Sequence, residues 1–198
     1  MRMSVILAAA CGVFFACFAS AANAQQGPDV DSNEVQIWTG GGHGTNGRTQ
    51  HTSLWNLGFR YGWVLTEPHG PGFLRGRFEY AVDAVPVYLI VQPTNTVYGG
   101  AIDPVGLIWN LDTHGRVVPY FELGGGALFT SAQVPSGTSQ VNFTTDGAFG
   151  LRFLRKRATW SADLRFMHIS NASIATLNPG INTLQLRVGV GWFTRGRH

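Results

Sequence analysis

The sequence predicts an all-β protein, an eight-stranded antiparallel transmembrane β-barrel, from three observations. One is an export signal at the N-terminus. Another is a series of eight segments, most of them about ten residues long, in which apolar and polar side chains alternate. The third is the less apolar face of those segments, where glycine occurs together with arginine and carboxylates. A narrow membrane barrel needs small residues and paired charges inside and an apolar band outside, so these observations together favour a bacterial outer-membrane barrel.

The N-terminal segment, residues 1–24, has the features of a secretory signal peptide. An early arginine precedes an apolar run, which ends in the A-x-A cleavage site Ala22-Asn23-Ala24. A lipoprotein anchor on Cys11 or Cys17 is less favoured, because neither cysteine has leucine three residues before it. Removing 24 of the 198 residues leaves 174, residues 25–198, which is enough for one barrel domain without cysteine. Disulfides and thiolate chemistry are therefore not expected.

The charge of the mature chain is nearly balanced. Of 14 lysines and arginines one lies in the leader, which leaves 13 against 11 acidic residues. No basic run or recognition motif accompanies this small excess, so a nucleic-acid partner is not expected. Neither a metal nor another cofactor is expected. Apart from His168, the histidines lack metal-ligand spacing and are predicted to be loop or rim residues: His43, His51, His69, His114 and His198.

Eight strands are predicted, an even number, as bacterial barrels require. The alternation is clearest in four segments: Leu54–Trp63, Val141–Phe153, Thr159–Ser170 and Leu184–Trp192. It is weaker in four others: Glu34–Thr39, Leu74–Val85, Tyr98–Trp109 and Val117–Phe129. The glycine-rich run Gly40–Gly44 is predicted to be a flexible turn. The apolar segment Pro86–Gln92 is predicted to be a loop, with an extended third strand or a cover over the substrate as alternatives.

The charged residues of the less apolar face are predicted to point into the barrel: Arg75, Arg77, Glu79, Glu122, Asp146, Arg152, Asp163, Arg165 and Arg187. A soluble sandwich or lipocalin-like barrel could show the same alternation with its polar side in water. The water-exposed face of such a sheet usually carries lysine and glutamate, whereas this face combines glycine with arginine–carboxylate sets. The membrane barrel is therefore favoured over the soluble alternatives.

A polar cluster is predicted on the lipid-facing wall. In the seventh segment His168 and Ser170 share the face of Phe166, and Asn182 has the parity of Leu184 in the eighth. If both termini are periplasmic, all three polar groups lie near the outer leaflet. Polar side chains facing lipid are costly unless they lie at the interface or serve a function, so a polar rim is the alternative to a site.

The segment His168-Ile-Ser170-Asn171-Ala-Ser-Ile, followed by Asn178-Pro-Gly180-Ile-Asn182, resembles the active-site hairpin of the PagL-type lipid A 3-O-deacylases, an acyloxyacyl hydrolase-related family. The resemblance implies a serine esterase that removes the 3-O-linked acyl chain of lipid A, embedded in the outer leaflet beside lipopolysaccharide. It implies no cofactor and is compatible with a homodimer. Arginines at the extracellular rim would be candidates to contact lipid phosphates.

The resemblance also implies roles for individual residues. Ser170 would be the nucleophile and His168 its general base. Asn171 would stabilise the oxyanion together with a backbone N–H of the following turn, where Ser173 stands at a position that is usually glycine. Asn182 replaces the glutamate of the family motif.

The missing carboxylate leaves two functions open. An asparagine can orient the imidazole but adds no negative charge, and the acid-to-amide change costs a serine protease about 10⁴ in kcat. No replacement carboxylate is expected, because Glu122, Asp146 and Asp163 are predicted to lie inside the barrel. The chain is therefore either a slow esterase with a Ser-His pair oriented by asparagine, or a non-catalytic barrel with a structural or lipid-binding role.

Overall fold

The computed structural model describes residues 24–25, 27–45 and 50–194, most of them in strands. The eight long strands are β1 Asn33–Gly44, β2 Ser53–Val64, β3 Gly76–Val91, β4 Thr96–Leu111, β5 Val117–Thr130, β6 Val141–Leu154, β7 Thr159–Ser170 and β8 Ile181–Thr194. A two-residue strand, Ala24–Gln25, pairs with the end of β8, and Gly72–Leu74 forms a 3₁₀ turn. The predicted signal peptide lies outside the described residues except for Ala24, so its removal stays a prediction.

The strands close into a barrel. Each pairs antiparallel with the next along the chain, and β8 pairs with both β7 and β1, so the long strands leave no open edge. The predicted eight-stranded antiparallel barrel is therefore confirmed, with every strand near its predicted segment. Within residues 27–45 and 50–194, no helix is long and apolar enough to cross a bilayer.

The two faces of the wall differ as the alternation predicts. On β2, Trp55, Tyr61 and Trp63 are exposed on the outside, whereas Asn56 and Arg60 are buried inside. The described chain termini lie at the end opposite Ser170. We call the end that holds Ser170 extracellular, because both termini of bacterial barrels are periplasmic when the strand number is even.

Buried arginines and carboxylates fill the middle of the lumen. Arg60 bonds Asp83 at 2.7 Å and Glu122 at 2.6 Å. Glu122 also accepts a hydrogen bond from Arg187 at 2.9 Å and forms an ion pair with Arg165 at the same N–O distance. Charges removed from water are tolerated when they are paired and hydrogen-bonded, so this network links β2, β3, β5, β7 and β8 across the barrel.

A second charged layer lies nearer the periplasmic end. Arg152 pairs with Glu34 and, at 3.1 Å, with Glu79. The interior position predicted for Arg75 is wrong: its side chain is half exposed and pairs with Asp112 at 3.5 Å. The reason is local, because Arg75 ends the 3₁₀ turn before β3 and does not belong to the strand. The other charged residues predicted inside lie there, with Arg77 only partly buried at the periplasmic mouth.

The extracellular half of the lumen is apolar, which the sequence did not predict. Its buried cluster consists of Trp38, Leu54, Val85, Tyr88, Ile90, Val97, Leu128, Val134, Met167, Ile169 and Ile181. The Tyr88 hydroxyl donates a hydrogen bond to Met167 Sδ at 3.3 Å. A cavity of about 20 Å³, lined by residues of both the apolar cluster and the charged network, has room for about one water. The prediction of a polar interior thus holds only for the middle and periplasmic parts.

The segment Pro86–Gln92 is largely strand, so its prediction as a loop is wrong and the alternative of an extended third strand is confirmed. β3 continues to Val91 and pairs with β4 beyond a register shift between Val85 and Tyr88. Proline has no N–H to donate to a ladder and is tolerated at bulges, which explains how Pro86 fits here. Beyond the bulge Tyr88 and Ile90 point inward and belong to the apolar cluster.

The Gly40–Gly44 run is also strand, and its prediction as a flexible turn is wrong. These residues end β1 and pair with both β2 and β8. Gly40 and Gly42 face a crowded lumen: an added Cβ would lie 2.8 Å from Asn56 Oδ1 at Gly40 and 2.5 Å from Gln185 Cγ at Gly42. The two glycines therefore make room for interior side chains, and the run does not signal flexibility.

Candidate active site on the outer wall

The predicted polar cluster lies on the lipid-facing wall at the extracellular end. On β7, Leu164 and Phe166 are exposed, and His168 and Ser170 continue the same outward face as half-buried residues. Between them Met167 and Ile169 point inward and are buried in the apolar cluster of the lumen. The dry interior thus fixes the backbone that carries the imidazole and the hydroxyl.

His168 and Asn182 are cross-strand partners on β7 and β8. The imidazole Nδ1 lies 2.7 Å from Asn182 Oδ1. An amide oxygen only accepts, so Nδ1 is the donor in this contact, and in a neutral imidazole such a contact leaves Nε2 as the acceptor. The asparagine therefore selects the tautomer that a general base needs, without supplying negative charge.

Gly180 holds the other edge of the imidazole. Its φ is +65°, a left-handed conformation that favours glycine. A Cβ on Gly180 would lie 2.7 Å from His168 Cε1 and 3.4 Å from Nε2. The ring is thus confined between the Asn182 amide and the Gly180 backbone. Gly180 belongs to the motif described above, but the sequence assigned it no role. The Pro179-Gly180 pair is a turn signal that could have indicated one.

Ser170 stands two residues from His168, at the last position of β7. Alternate residues of a strand are about 6.6 Å apart along the chain, so the rotamers of the two side chains decide their contact. Within the part of the chain that the structure describes, no hydrogen bond joins Ser170 Oγ to the imidazole. Such bonds are often long before substrate binds and tighten in the complex.

The loop after Ser170 is fixed by two asparagines. Asn171 is 1 % exposed, and its N–H donates to Asn178 Oδ1 at 3.1 Å. Its side chain donates to the Leu177 carbonyl at 2.9 Å and accepts from the Ser173 N–H at 2.9 Å. Both ends of the Asn171 amide are thus committed within the loop. Its oxyanion role stays a prediction, and its observed contacts position the turn.

The turn backbone is unusual. Ala172 and Ser173 have φ of +48° and +65°, so serine occupies a left-handed position that glycine would take without strain. The Ser173 N–H is used by Asn171, and the Ile174 N–H donates to the Asn171 carbonyl at 3.0 Å. Within Ala172–Ile174 this leaves the Ala172 N–H as the candidate backbone donor to an oxyanion.

The carboxylates that were considered as replacements for the missing glutamate lie in the lumen, away from His168. Asp163 is buried in the lumen 2.9 Å from Arg187, and Glu122 and Asp146 also bond interior arginines. The segments between strands at the extracellular end, residues 45–52, 92–95, 131–140 and 171–180, contain no aspartate or glutamate. The prediction that none of these three interior acids replaces the missing glutamate is consistent with these positions.

The exposed cations cluster at the periplasmic end. Arg116, Arg155, Lys156 and Arg157 lie in turns there, and the Leu154 N–H donates to the Arg116 carbonyl at 2.8 Å. At the extracellular end the segments between strands contain a single arginine, Arg48, which lies outside the described residues. The structure therefore identifies no arginine at the extracellular rim for the predicted contact with lipid phosphates.

The closed eight-stranded wall, apolar outside and charged within, defines the class of this protein as an outer-membrane β-barrel. The chain belongs to the PagL family, described as lipid A 3-O-deacylase, whose family model matches residues 37–191. The crystal structure of the outer membrane enzyme PagL is similar with a TM-score of 0.62 and 19 % identity, covering 78 % of this chain and 97 % of that chain.

Two other solved barrels are similar at 15 % identity. The N-terminal β-barrel domain of Pseudomonas aeruginosa OprF has a TM-score of 0.46 and is covered over 98 % of its length by 82 % of this chain. Neisserial surface protein A (NspA) has a TM-score of 0.49, with coverage of 95 % and 82 %. Comparison with curated proteins finds no match.

Proposed function

We propose that this protein is a lipid A 3-O-deacylase that uses Ser170 as nucleophile and His168 as general base in the outer leaflet of the outer membrane. The observation that carries the proposal is the 2.7 Å contact between His168 Nδ1 and Asn182 Oδ1, on the same lipid-facing wall as Ser170. Membership of the PagL family supports the reaction, and the outward position of these residues supports a membrane lipid as substrate.

The proposed reaction is acyl transfer through Ser170. His168 Nε2 takes the hydroxyl proton as Oγ attacks the carbonyl of the 3-O-linked ester, and the resulting oxyanion accepts a hydrogen bond from the turn backbone. Collapse breaks the carbon–oxygen bond to the sugar, and the imidazolium returns its proton to that oxygen. Water then attacks the acyl-serine with the same base, which releases the fatty acid and restores Ser170.

Small outward residues on β6 leave room on the outer wall for the acyl chain that is transferred to Ser170. On β6, Thr145 is the partner of His168, and Gly147 is the partner of Phe166. An outward Cβ on Gly147 would find its nearest neighbour, Leu123 Cδ2, 3.6 Å away. A chain attached at Ser170 can therefore lie along the wall between Phe166 and Leu123.

One observation favours a second candidate function, a non-catalytic lipid-binding barrel. Asn182 brings no negative charge to the imidazole, and the nearest strands place their carboxylates in the lumen. An imidazolium formed during attack would therefore be stabilised less than in a triad with an acid. In that case the contact between His168 and Asn182 only stabilises the polar rim where the strands leave the membrane.

Mass spectrometry of purified lipid A incubated with the purified protein separates the two functions. We expect the wild type to remove one 3-hydroxyacyl chain, and Ser170→Ala to remove none above the background rate. Ser136→Ala is the matched control, since Ser136 is an exposed serine of another extracellular loop. Equal lipid A profiles with wild type and Ser170→Ala would overturn the catalytic proposal in favour of the non-catalytic barrel.

A further inference from the structure

A second serine–histidine pair lies on the outer wall beyond β8. His43 on β1 and Ser53 on β2 are cross-strand partners, and His43 Nδ1 is 2.9 Å from Ser53 Oγ. His43 is exposed and Ser53 half-buried, and both side chains share the outward face of Trp55. Neither residue takes part in the contacts around His168 and Asn182.

Gly41 forms a notch in the outer wall just below this pair. Its cross-strand partners are Trp55 on β2 and Leu186 on β8, which are 43 % and 60 % exposed. A glycine between two large outward side chains leaves a gap in the layer that faces lipid. The notch therefore has apolar walls, a backbone floor and a polar pair at its extracellular end.

The fold does not require glycine at position 41. Gly40 and Gly42 are needed because an added Cβ would collide with interior side chains. At Gly41 the nearest atoms to an added Cβ are the Leu54 carbonyl oxygen at 3.6 Å and Trp55 Cδ1 at 3.9 Å, which are ordinary contacts. The backbone of Gly41 is also outside the left-handed region. Packing and conformation thus leave its missing side chain unexplained, whereas a ligand in the notch explains it.

The pair is joined to the candidate active site along the rim. The Thr45 N–H and hydroxyl both contact the Asn182 carbonyl, at 2.8 Å and 3.2 Å. One step further into the membrane, Leu184 is the cross-strand partner of both Phe166 and His43. A single apolar ridge on β8 therefore separates the two polar pairs. They lie two strand spacings apart and two residues apart in register, which amounts to about 12 Å.

We propose that Gly41, His43 and Ser53 form a second acyl subsite for the same lipid A molecule whose ester reaches Ser170. One acyl chain lies in the Gly41 notch, and the His43–Ser53 pair exchanges hydrogen bonds with the polar linkage at the head of that chain, since imidazole and hydroxyl both donate and accept. The separation of about 12 Å suits two chains of one multi-acylated headgroup. The inference rests on the proposed function for the identity of the lipid.

Native mass spectrometry tests the subsite without turnover. In the Ser170→Ala background we expect Gly41→Leu to lower retention of hexa-acylated lipid A about tenfold, because a leucine displaces several buried methylenes of the lipid. His43→Ala is expected to lower retention less. Ala162→Leu, which enlarges an outward residue at the periplasmic end, and His51→Ala, a neighbouring loop histidine, are the matched controls and are expected to retain lipid A fully.

Kinetics in the Ser170-containing protein supply the second measurement. Gly41→Leu is expected to raise KM about tenfold with little change in kcat, because it removes binding energy remote from the reacting ester. Unchanged retention and KM would overturn the subsite and leave the deacylase proposal standing. If the wild type shows no turnover but Gly41→Leu still lowers lipid A retention, the deacylase proposal fails and the binding subsite stands. Equal loss of phosphatidylglycerol would overturn the assignment to lipid A.

Discussion

The lumen and the outer wall each hold a polar cluster, and the two are built on opposite principles. In the lumen, Glu122 forms ion pairs with Arg60, Arg165 and Arg187 at N–O distances of 2.6–2.9 Å, and all four residues are almost fully buried. On the outer wall the imidazole of His168 is half exposed, and its hydrogen-bond partner is the neutral amide of Asn182. Ion pairs are thus concentrated in the lumen, where they link strands, whereas the residue that orients the proposed base is a neutral amide.

The difference between the two clusters shows that the carboxylates of the lumen stabilise the barrel by pairing with arginines. Buried ions need partners in good geometry, and the arginines of the lumen supply them. On a wall that faces lipid an unpaired carboxylate would be costly, so neutral groups are the cheaper way to orient a ring there. Substitutions that transfer charge between these two environments, or that disturb the geometry of one alone, therefore test this division.

Changing the charge of Asn182 gives the largest expected effect. Asn182→Asp keeps the shape of the side chain, Asn182→Glu restores the acid of the family motif, and each adds a negative charge beside Nδ1. We expect at least one of them to raise the deacylation rate about 100-fold, since the reverse change costs a serine protease about 10⁴. Asn182→Ala is the control and should slow turnover. Rates at or below wild type for both acids would show that Asn182 is not the orienting residue.

Removing charge from the lumen is expected to cost stability and leave the chemistry intact. Glu122→Gln keeps the shape but leaves three arginines short of a partner, so unfolding in urea should become easier by about 3–5 kcal/mol. Glu67→Gln, in an exposed periplasmic turn, is the control and should change the free energy of unfolding by less than about 0.5 kcal/mol. A Glu122→Gln protein as stable as wild type would contradict the structural role of the network.

Gly180→Ala tests the geometry around His168 without changing any charge. The added methyl would press on Cε1 and turn the ring, so we expect turnover to fall about tenfold or more with a smaller change in KM. Gly137→Ala is the matched control, because Gly137 also has positive φ, +86°, but an added Cβ there meets nothing within 4 Å. Equal losses in both variants would assign the effect to backbone strain and not to the ring.

Ser173→Gly gives the smallest expected effect. Glycine adopts the φ of +65° without strain, so the loop should be stabilised by about 0.5–1 kcal/mol, with turnover changed less than about threefold. Slower hydrogen exchange of the residue 173 amide, which donates to Asn171, measures the gain. Ser136→Gly serves as control because Ser136 is not in the left-handed region. Faster exchange in Ser173→Gly would contradict the strain argument.

The alternation of side chains was sufficient to predict the strands and most of their inward charges, because a two-residue period reports which face each residue occupies. It could not place Tyr88 and Ile90 in the apolar half of the lumen, since the bulge at Pro86 shifts the alternation and turns both side chains inward. Alternation also carries no information on height within the barrel. The layers of the interior therefore emerge only from the register of neighbouring strands.

The candidate site could be predicted only in part. Parity and a short motif brought together His168, Ser170 and Asn182, whose shared outward face is seen in the structure. The contacts of Asn171 with Leu177 and Ser173 depend on how a ten-residue loop folds back, which no periodicity encodes. Gly180 illustrates the same limit, because its value lies in a close approach to an imidazole that is twelve residues away in sequence.

The apolar cluster beneath Ser170 has a consequence for the second reactant of any hydrolysis. Tyr88, Ile90, Ile169 and Ile181 close the lumen at this height, and the cavity below has room for about one molecule. If Ser170 carries the acyl chain as proposed, this apolar layer opposes delivery of the hydrolytic water from the periplasm through the barrel. We therefore expect the water to arrive over the rim from the cell exterior, so that the hydration of the outer leaflet supplies the attacking oxygen.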